Sequence, residues 1–345
     1  MRSSGGPIGV EPVLQVHPTR LCNIACAHCY SSSGPNVREE LPPELLATCL
    51  EDAAELGYRQ LAVSGGEPLL YRPLAELLAH ARALGMVTTI TSNGMLATAA
   101  RWAPLTPFLD VVAISIDGTP SEHDAIRRRP GAFARTVANL EVVRGSGIPF
   151  GFIFTLTQHN VDSVEFVVRL AAENGARSVQ VHPLTLHGRA AKALSTARPD
   201  GIELLTALIE ASRLGRELGV VVHVDAVTVD QLVEYRGHFV PETPVEELVD
   251  VAPTLVVDAD GSVVPLTHEV SEALRLGSLT DAPLKTLARN WLRAGGGDVL
   301  AAACERTWAD LAKLVPPMAA YWYDEVAART KNRRSAPVRP LTAAT

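Results

Sequence analysis

From Leu14 to about Leu218 short runs of apolar and β-branched residues alternate with longer segments in which apolar positions recur every three or four residues. This is the pattern of βα units laid around a parallel sheet. Six strands are expected: Leu14 to His17, Gln60 to Val63, Val87 to Thr91, Val111 to Ile116, Phe150 to Leu156 and Ser178 to Val181. Between the first two, the spacing predicts a helix from Pro43 to Leu56 whose stripe of Leu45, Leu46, Cys49, Leu50, Ala53 and Leu56 faces a core, which makes Cys49 core filling. Six such units describe an α/β fold, a partial (β/α)6 TIM-like barrel, and parallel barrels carry their chemistry in the loops after the strands. Beyond residue 235 the rhythm fails, and Thr254 to Leu266 reads as a β-hairpin turned at Asp260 and Gly261, the start of a small α+β cap. The expected division is a flexible start at 1–10, a barrel at 11–225, a C-terminal unit at 226–328 and a disordered tail at 329–345, rich in Arg, Pro, Ala and Thr.

Polar residues collect where the strands end. The second strand is followed by Ser64, Gly65, Gly66 and Glu67, and the third runs into Ser92, Asn93 and Gly94. The fourth carries Ser115 and Asp117, the fifth leads to Asn160, and His182 and His187 follow the sixth. Asn93-Gly94 and Asp117-Gly118 are equally good turn pairs, since these residues accept left-handed backbone angles. Gly65 and Gly66 before an acid and a proline let the backbone approach a ligand, with Glu67 able to accept hydrogen bonds from an amine. The first loop holds Cys22, Cys26 and Cys29, whose thiolates can converge on one metal centre and fall one short of the four that an iron–sulfur cube normally takes. A zinc knuckle would borrow His17 or His28, but its usual second cysteine pair is absent from the sequence.

The Cys-x3-Cys-x2-Cys spacing, followed after the next strand by Gly65-Gly66-Glu67-Pro68, resembles the radical S-adenosylmethionine (SAM) superfamily. The resemblance implies that Cys22, Cys26 and Cys29 bind one [4Fe-4S] cluster, whose open iron chelates SAM. Reductive cleavage of SAM there gives a deoxyadenosyl radical that takes a hydrogen atom from the substrate. It implies that Tyr30 or His28 lies near the adenine, that Gly65, Gly66 and Glu67 contact the methionine end, and that Ser92 and Asn93, or Ser115 and Asp117, lie near the ribose, with Asn160 in the same neighbourhood. The segment from His123 and Asp124 to Arg127, then Gly131 and Phe133, is similar to a motif of peptide-modifying relatives, and there Arg127 would pair with a carboxylate of SAM or substrate, or else belong to a solvated basic loop. The 254–266 hairpin is similar to the opening of a SPASM or twitch extension, with Leu266 where a cysteine is expected. Leucine cannot bind iron, and Cys304 is the only cysteine of that region, so one cluster and about four irons are expected.

Composition narrows the setting. A hydrophobic fraction of 47% supplies a core for about two domains, and a net charge of −7 gives no general attraction to nucleic acid. No apolar run approaches the roughly 20 residues that span a bilayer, and no signal segment opens the chain, so the expectation is a cytoplasmic protein away from membranes. Five cysteines in such a chain point to reduced thiols and not disulfides. The expected function is radical SAM chemistry in maturation of a ribosomal peptide by crosslinking, epimerisation or oxidation, with a flavodoxin- or ferredoxin-like electron donor. A small molecule such as a sugar, nucleoside or amino acid is the alternative substrate, and an iron–sulfur sensor without catalysis is the alternative of another class.

Overall fold

The computed structural model describes residues 11–314 and 319–331. Six parallel strands stand where the pattern places them: β1 (Val13–Val16), β2 (Gln60–Val63), β3 (Val87–Ser92), β4 (Val111–Ser115), β5 (Phe150–Leu156) and β6 (Ser178–Pro183). A seventh, β7 (Val221–Val224), continues the sheet beyond β6 in parallel register, Ser178 opposite Val221. A two-residue β8 (Val227–Thr228) lies outside this sheet. On the other side β9 (Thr254–Val257) pairs in parallel with β1, from Val13 opposite Thr254 to Val16 opposite Val257. The hairpin then turns through Gly261 into the antiparallel β10 (Ser262–Pro265) and on to β11 (Gly277–Ser278). The sheet order is β11-β10-β9-β1-β2-β3-β4-β5-β6-β7, so the C-terminal segment extends the barrel sheet in addition to packing against it.

Side-chain alternation along the strands divides the molecule. Leu14, Val16, Leu61, Ile90, Val112, Ile114, Phe152, Phe154, Val179 and Val181 are fully buried toward the helices. The helix Pro43–Glu55 begins with proline in its first turn, where the missing N–H costs nothing, and buries Leu46, Cys49, Leu50 and Ala53 against this layer. The intervening positions, among them Gln15, Ala62, Thr89, Thr91, Ser115 and Thr155, are small or polar and half exposed. They line the opposite face, the inside of the partial barrel, together with the branched Val13 and Ile153.

The C-terminal segment is fastened to the barrel at several points. The buried Tyr58 hydroxyl donates to the Ala252 carbonyl at 2.8 Å, and the Lys285 N–H opening the helix Leu284–Arg293 donates to Asp52 at 2.9 Å. A further pair of short strands joins β8 to β12 (Ala319–Ala320). The helix Trp322–Lys331 runs three residues into the segment expected to be disordered, because Thr330 is buried and Arg329 pairs with Glu325 and Asp310. Residues 1–10 and 332–345, expected to be flexible, lie outside the described residues. Among the described residues no helix is long and apolar enough to cross a membrane.

If the outer layer of apolar side chains carries the stability, Leu50→Ala, at a position 1% exposed, should cost about 3 kcal/mol, against less than about 0.5 kcal/mol for Ile209→Ala, at 60% exposure. Urea denaturation midpoints check this, and equal shifts would contradict it.

Candidate active site

The site is built at the C-terminal ends of the barrel strands. After β1 the chain leaves the sheet at His17 and enters an irregular loop through Cys29, which has too little regular structure to hold itself. Its backbone is stitched from outside. Cys22 N–H donates to Gly34 O at 3.2 Å, Ala27 N–H to Ile126 O at 2.7 Å, and Glu67 N–H to Leu21 O at 2.9 Å. Arg189, after β6, donates from its guanidinium to the carbonyls of Cys26, Ser32 and Ser33 at 2.7–3.1 Å, and its N–H donates to Cys29 O. Arg189 was not singled out from the sequence, where it is one arginine among many; the signal beside it is Gly188, at which a Cβ would fall 2.0 Å from the Tyr30 carbonyl oxygen.

All five cysteines are free thiols, and Cys22, Cys26 and Cys29 lie within electrostatic reach of one another. Burial pushes the Cys22 thiol up to about 12, reinforced by Glu67, and the Cys26 thiol up to about 11, against the pull of the Arg127 charge. Asn93 Nδ2 stands 3.9 Å from Cys22 Sγ and Ser31 Oγ 3.4 Å from Cys29 Sγ, so polar groups surround the sulfurs. Among the described residues only His17, Asp258 and His268 bring metal-donor atoms to within 4.8 Å of one another. The three thiols therefore stand wider than a single zinc would draw them, at Zn–S of about 2.3 Å. Three unpaired thiols of this spread, with no fourth cysteine beside them, fit a cluster that keeps one iron for another ligand. Cys49 is buried on its helix, and Cys304 lines a separate cavity of ≈ 30 Å³ together with Leu266.

The glycines and the acid after β2 make close contacts within the chain. A Cβ on Gly66 would lie 2.2 Å from Leu21 O, and one on Gly65, at φ +97°, 2.7 Å from the His17 Cβ. Their bareness lets the β2 loop lie against the base of the cysteine loop. Glu67 is fully buried; its carboxylate accepts from Ser92 Oγ at 2.8 Å, from Asn93 N–H at 2.9 Å and from Leu69 N–H at 3.2 Å. Burial pushes its pKa up and those three donors pull it back. Its acceptors are thus occupied within the chain, and it ties the β2 and β3 loops together. Asn93 then donates to Asn23 Oδ1 at 2.8 Å, joining the β3 loop to the cysteine loop.

A second buried network follows β4. Asp117 accepts from Arg127 Nη2 at 2.7 Å and from Thr155 N–H at 3.1 Å, and His28 Nε2 lies 3.6 Å away. Burial would raise the Asp117 carboxyl, but Arg127 overrides it and holds the group down at about 2. Of the three consecutive arginines only Arg127 is buried, and its carboxylate partner is Asp117. Burial and the Arg127 charge hold His123 down at about 3, so this ring is neutral. Asn160 is spent locally, accepting from Thr157 N–H at 2.7 Å and donating to Thr155 O at 3.0 Å. Ser115 is half exposed on the concave side.

Tyr30 and His28 part company. His28 turns to Asp117, whereas the Tyr30 hydroxyl lies 3.1 Å from Ser64 Oγ and 3.2 Å from His17 Nε2. The Tyr30 ring stacks on His268 at 5.1 Å between centroids, and His187 stacks on the same imidazole at 5.7 Å. His182 pairs with Asp225 at 2.7 Å; burial lowers its pKa, and the carboxylate overrides this and raises it. Asp258 and His268 were missed in the sequence because they lie some 240 residues from their partner His17.

Asp117 ties stability to pH. Its carboxyl titrates lower in the folded chain than the unfolded value of about 3.9, so its contribution is present above pH 4 and is lost as the pH falls through 2. The stability gap between wild type and Asp117→Asn should therefore shrink by about 2 kcal/mol from pH 5 to pH 2; a gap independent of pH would refute the pairing.

Residues 16–171 match the family model described as the radical SAM superfamily. Curated relatives include the PqqA peptide cyclase of Ruegeria pomeroyi, 33% identical over 205 residues that cover 57% of this chain and 55% of that protein. The Fe-coproporphyrin III synthase of Methanosarcina barkeri is 32% identical over 184 residues, 53% of this chain and 46% of that protein. The chain spans about half the length of these relatives. Streptococcus suis SuiB bound to S-adenosylmethionine shares the fold at a TM-score of 0.62 and 16% identity, over 80% of this chain and 65% of that one. Native anSMEcpe with bound AdoMet does so at 0.59 and 17%, over 82% and 83%. Motif, barrel and family match agree: residues 16–171 of the chain carry the radical SAM superfamily match.

Proposed function

We propose that this chain is a radical SAM enzyme that removes a hydrogen atom from a peptide substrate bound in the barrel lumen. The observation that carries the reading is the set of three free thiols on one externally clamped loop at the C-terminal end of the strands. When bound there, a [4Fe-4S] cluster with SAM supplies reductive cleavage of SAM and a deoxyadenosyl radical. The residues of the chain position and shield. Cys22, Cys26 and Cys29 ligate, Arg189 fixes the loop carbonyls, and Glu67, Ser92 and Asn93 lock the neighbouring loops against it. Arg127, paired with Asp117, acts on Cys26 with its positive charge more strongly than Asp117 opposes it, which offsets part of the charge of a ligating thiolate.

A substrate in the lumen meets Gln15, Thr91, Ser115, Thr155 and His182, all half exposed, so it is held by hydrogen bonds more than by apolar packing. The peptide reading is supported by relatives named as peptide cyclases and by the fold of SuiB, which was also solved with its precursor peptide SuiA. A small-molecule substrate is the second reading, favoured by relatives named as haem-pathway synthases. The protein acts in the cytoplasm, and the electron comes from a flavodoxin- or ferredoxin-like donor. Residues 11–225 act as the barrel and 226–328 as its cap.

After anaerobic reconstitution with SAM and dithionite, the wild type should form deoxyadenosine, detected by mass spectrometry, and Cys26→Ala should form at least 100-fold less, as expected when a group acting as a unit is broken. Equal traces from both proteins despite a full iron load and bound SAM would refute the catalytic reading and favour a sensor. With a deuterated substrate peptide, the label should appear in deoxyadenosine; transfer only from a small molecule would select the second reading.

A further inference from the structure

One cluster of metal-donor side chains contains none of the three loop cysteines. His17, at the end of β1, Asp258, at the end of β9, and His268, just past β10, come together from positions 241 and 10 residues apart in sequence. The Asp258 carboxylate receives one imidazole on each oxygen: His17 Nδ1 at 2.9 Å from Oδ1 and His268 Nδ1 at 3.2 Å from Oδ2. His17 is fully buried, Asp258 is 13% and His268 10% exposed in their side chains. The parallel pairing of β1 with β9 sets the first two side by side, since Val16 stands opposite Val257 and His17 N–H donates to Val257 O. The third arrives through Leu266, a leucine at φ +64°, which folds the chain back after β10 into a backbone conformation costly for this side chain.

We infer that His17, Asp258 and His268 form a binding site for a divalent metal ion of the zinc class, separate from the cysteine loop. Two imidazoles and one carboxylate are a complete set of protein ligands for an open zinc site, and they equally suit ferrous iron. Metal–ligand bonds of about 2.0–2.2 Å separate tetrahedral ligands by about 3.3 Å, close to the two contacts already present. Charge argues the same way. Among the described residues no lysine or arginine lies within ion-pair distance of Asp258, and the nearby Arg20 pairs with Glu39 and Asp260. A buried carboxylate between two imidazoles lacks a permanent cation, which a divalent ion supplies. The shell behind the ligands is also in place. His17 Nε2 meets Tyr30 Oη at 3.2 Å and the Gln15 amide at 2.8 Å, and a half-turn of that amide presents its oxygen to the Nε2–H of a metal-bound ring. His268 Nε2 is buried without a partner, and its ring is held between Tyr30 and His187. Three protein ligands leave a position for water or for a substrate oxygen or nitrogen, and they pin the C-terminal hairpin to the first barrel strand.

The test uses the full chain with its thiols occupied. The protein is reconstituted anaerobically with iron and sulfide, incubated with zinc sulfate and desalted; iron and zinc are counted by mass spectrometry and zinc is examined by X-ray absorption. One zinc per chain is expected, with nitrogen and oxygen neighbours at about 2.0–2.1 Å. His268→Ala should lower the zinc at least tenfold with iron unchanged, and Asp258→Asn, which keeps the side-chain volume, should do the same. Zinc at background in the wild type, sulfur neighbours at about 2.3 Å, or full zinc in both variants would overturn the inference. The iron count in the same samples separates failure of this site from failure of the cluster.

Discussion

The contact of the β2 loop with the base of the cysteine loop governs the rest of the site. A loop that offers three sulfurs to a ligand cannot pair its own backbone as a helix or strand does, so the donors and acceptors must come from its neighbours. Gly66 lies so close to Leu21 O that no side chain fits between them, and the same approach lets Glu67 N–H reach that oxygen. Once Glu67 is seated, its buried carboxylate gathers Ser92 and Asn93, and Asn93 in turn holds Asn23 beside Cys22. Arg189 closes the ring from β6. A buried acid with both oxygens engaged rigidifies its surroundings; removing one donor would expose the cost of its desolvation.

The C-terminal segment is joined to this centre through the sheet. Because β9 extends the barrel alongside β1, Asp258 emerges next to His17, one turn of chain ahead of the cysteines. Leu266 and Cys304 share the lining of one small cavity. The hairpin brings His268 against His17 and Tyr30.

Much of this was legible in the sequence because the relevant signals are local. Six strands were marked by apolar alternation, the helix carrying Cys49 by its stripe, and the cysteine loop by its spacing. Local signals do not reveal the internal contacts of the same residues. The tertiary structure sets Gly65 and Gly66 against the cysteine loop and gives the Glu67 carboxylate three internal donors. The Arg127 carboxylate partner proved to be Asp117, ten residues earlier in the same chain. Strand β7 escaped notice because its pattern of half-exposed and exposed residues lacks the contrast of a core strand. The His17, Asp258 and His268 group was invisible because only the pairing of the first strand with the ninth brings it together.

The central claim is that three cysteines hold a cluster whose remaining iron takes SAM. Low-temperature electron paramagnetic resonance of the dithionite-reduced, reconstituted protein tests it most directly, recorded with and without SAM. A signal from one [4Fe-4S] cluster whose g values shift when SAM is added is the predicted result. A signal unchanged by saturating SAM would contradict the account, because it would mean that no iron of the cluster is open to the ligand.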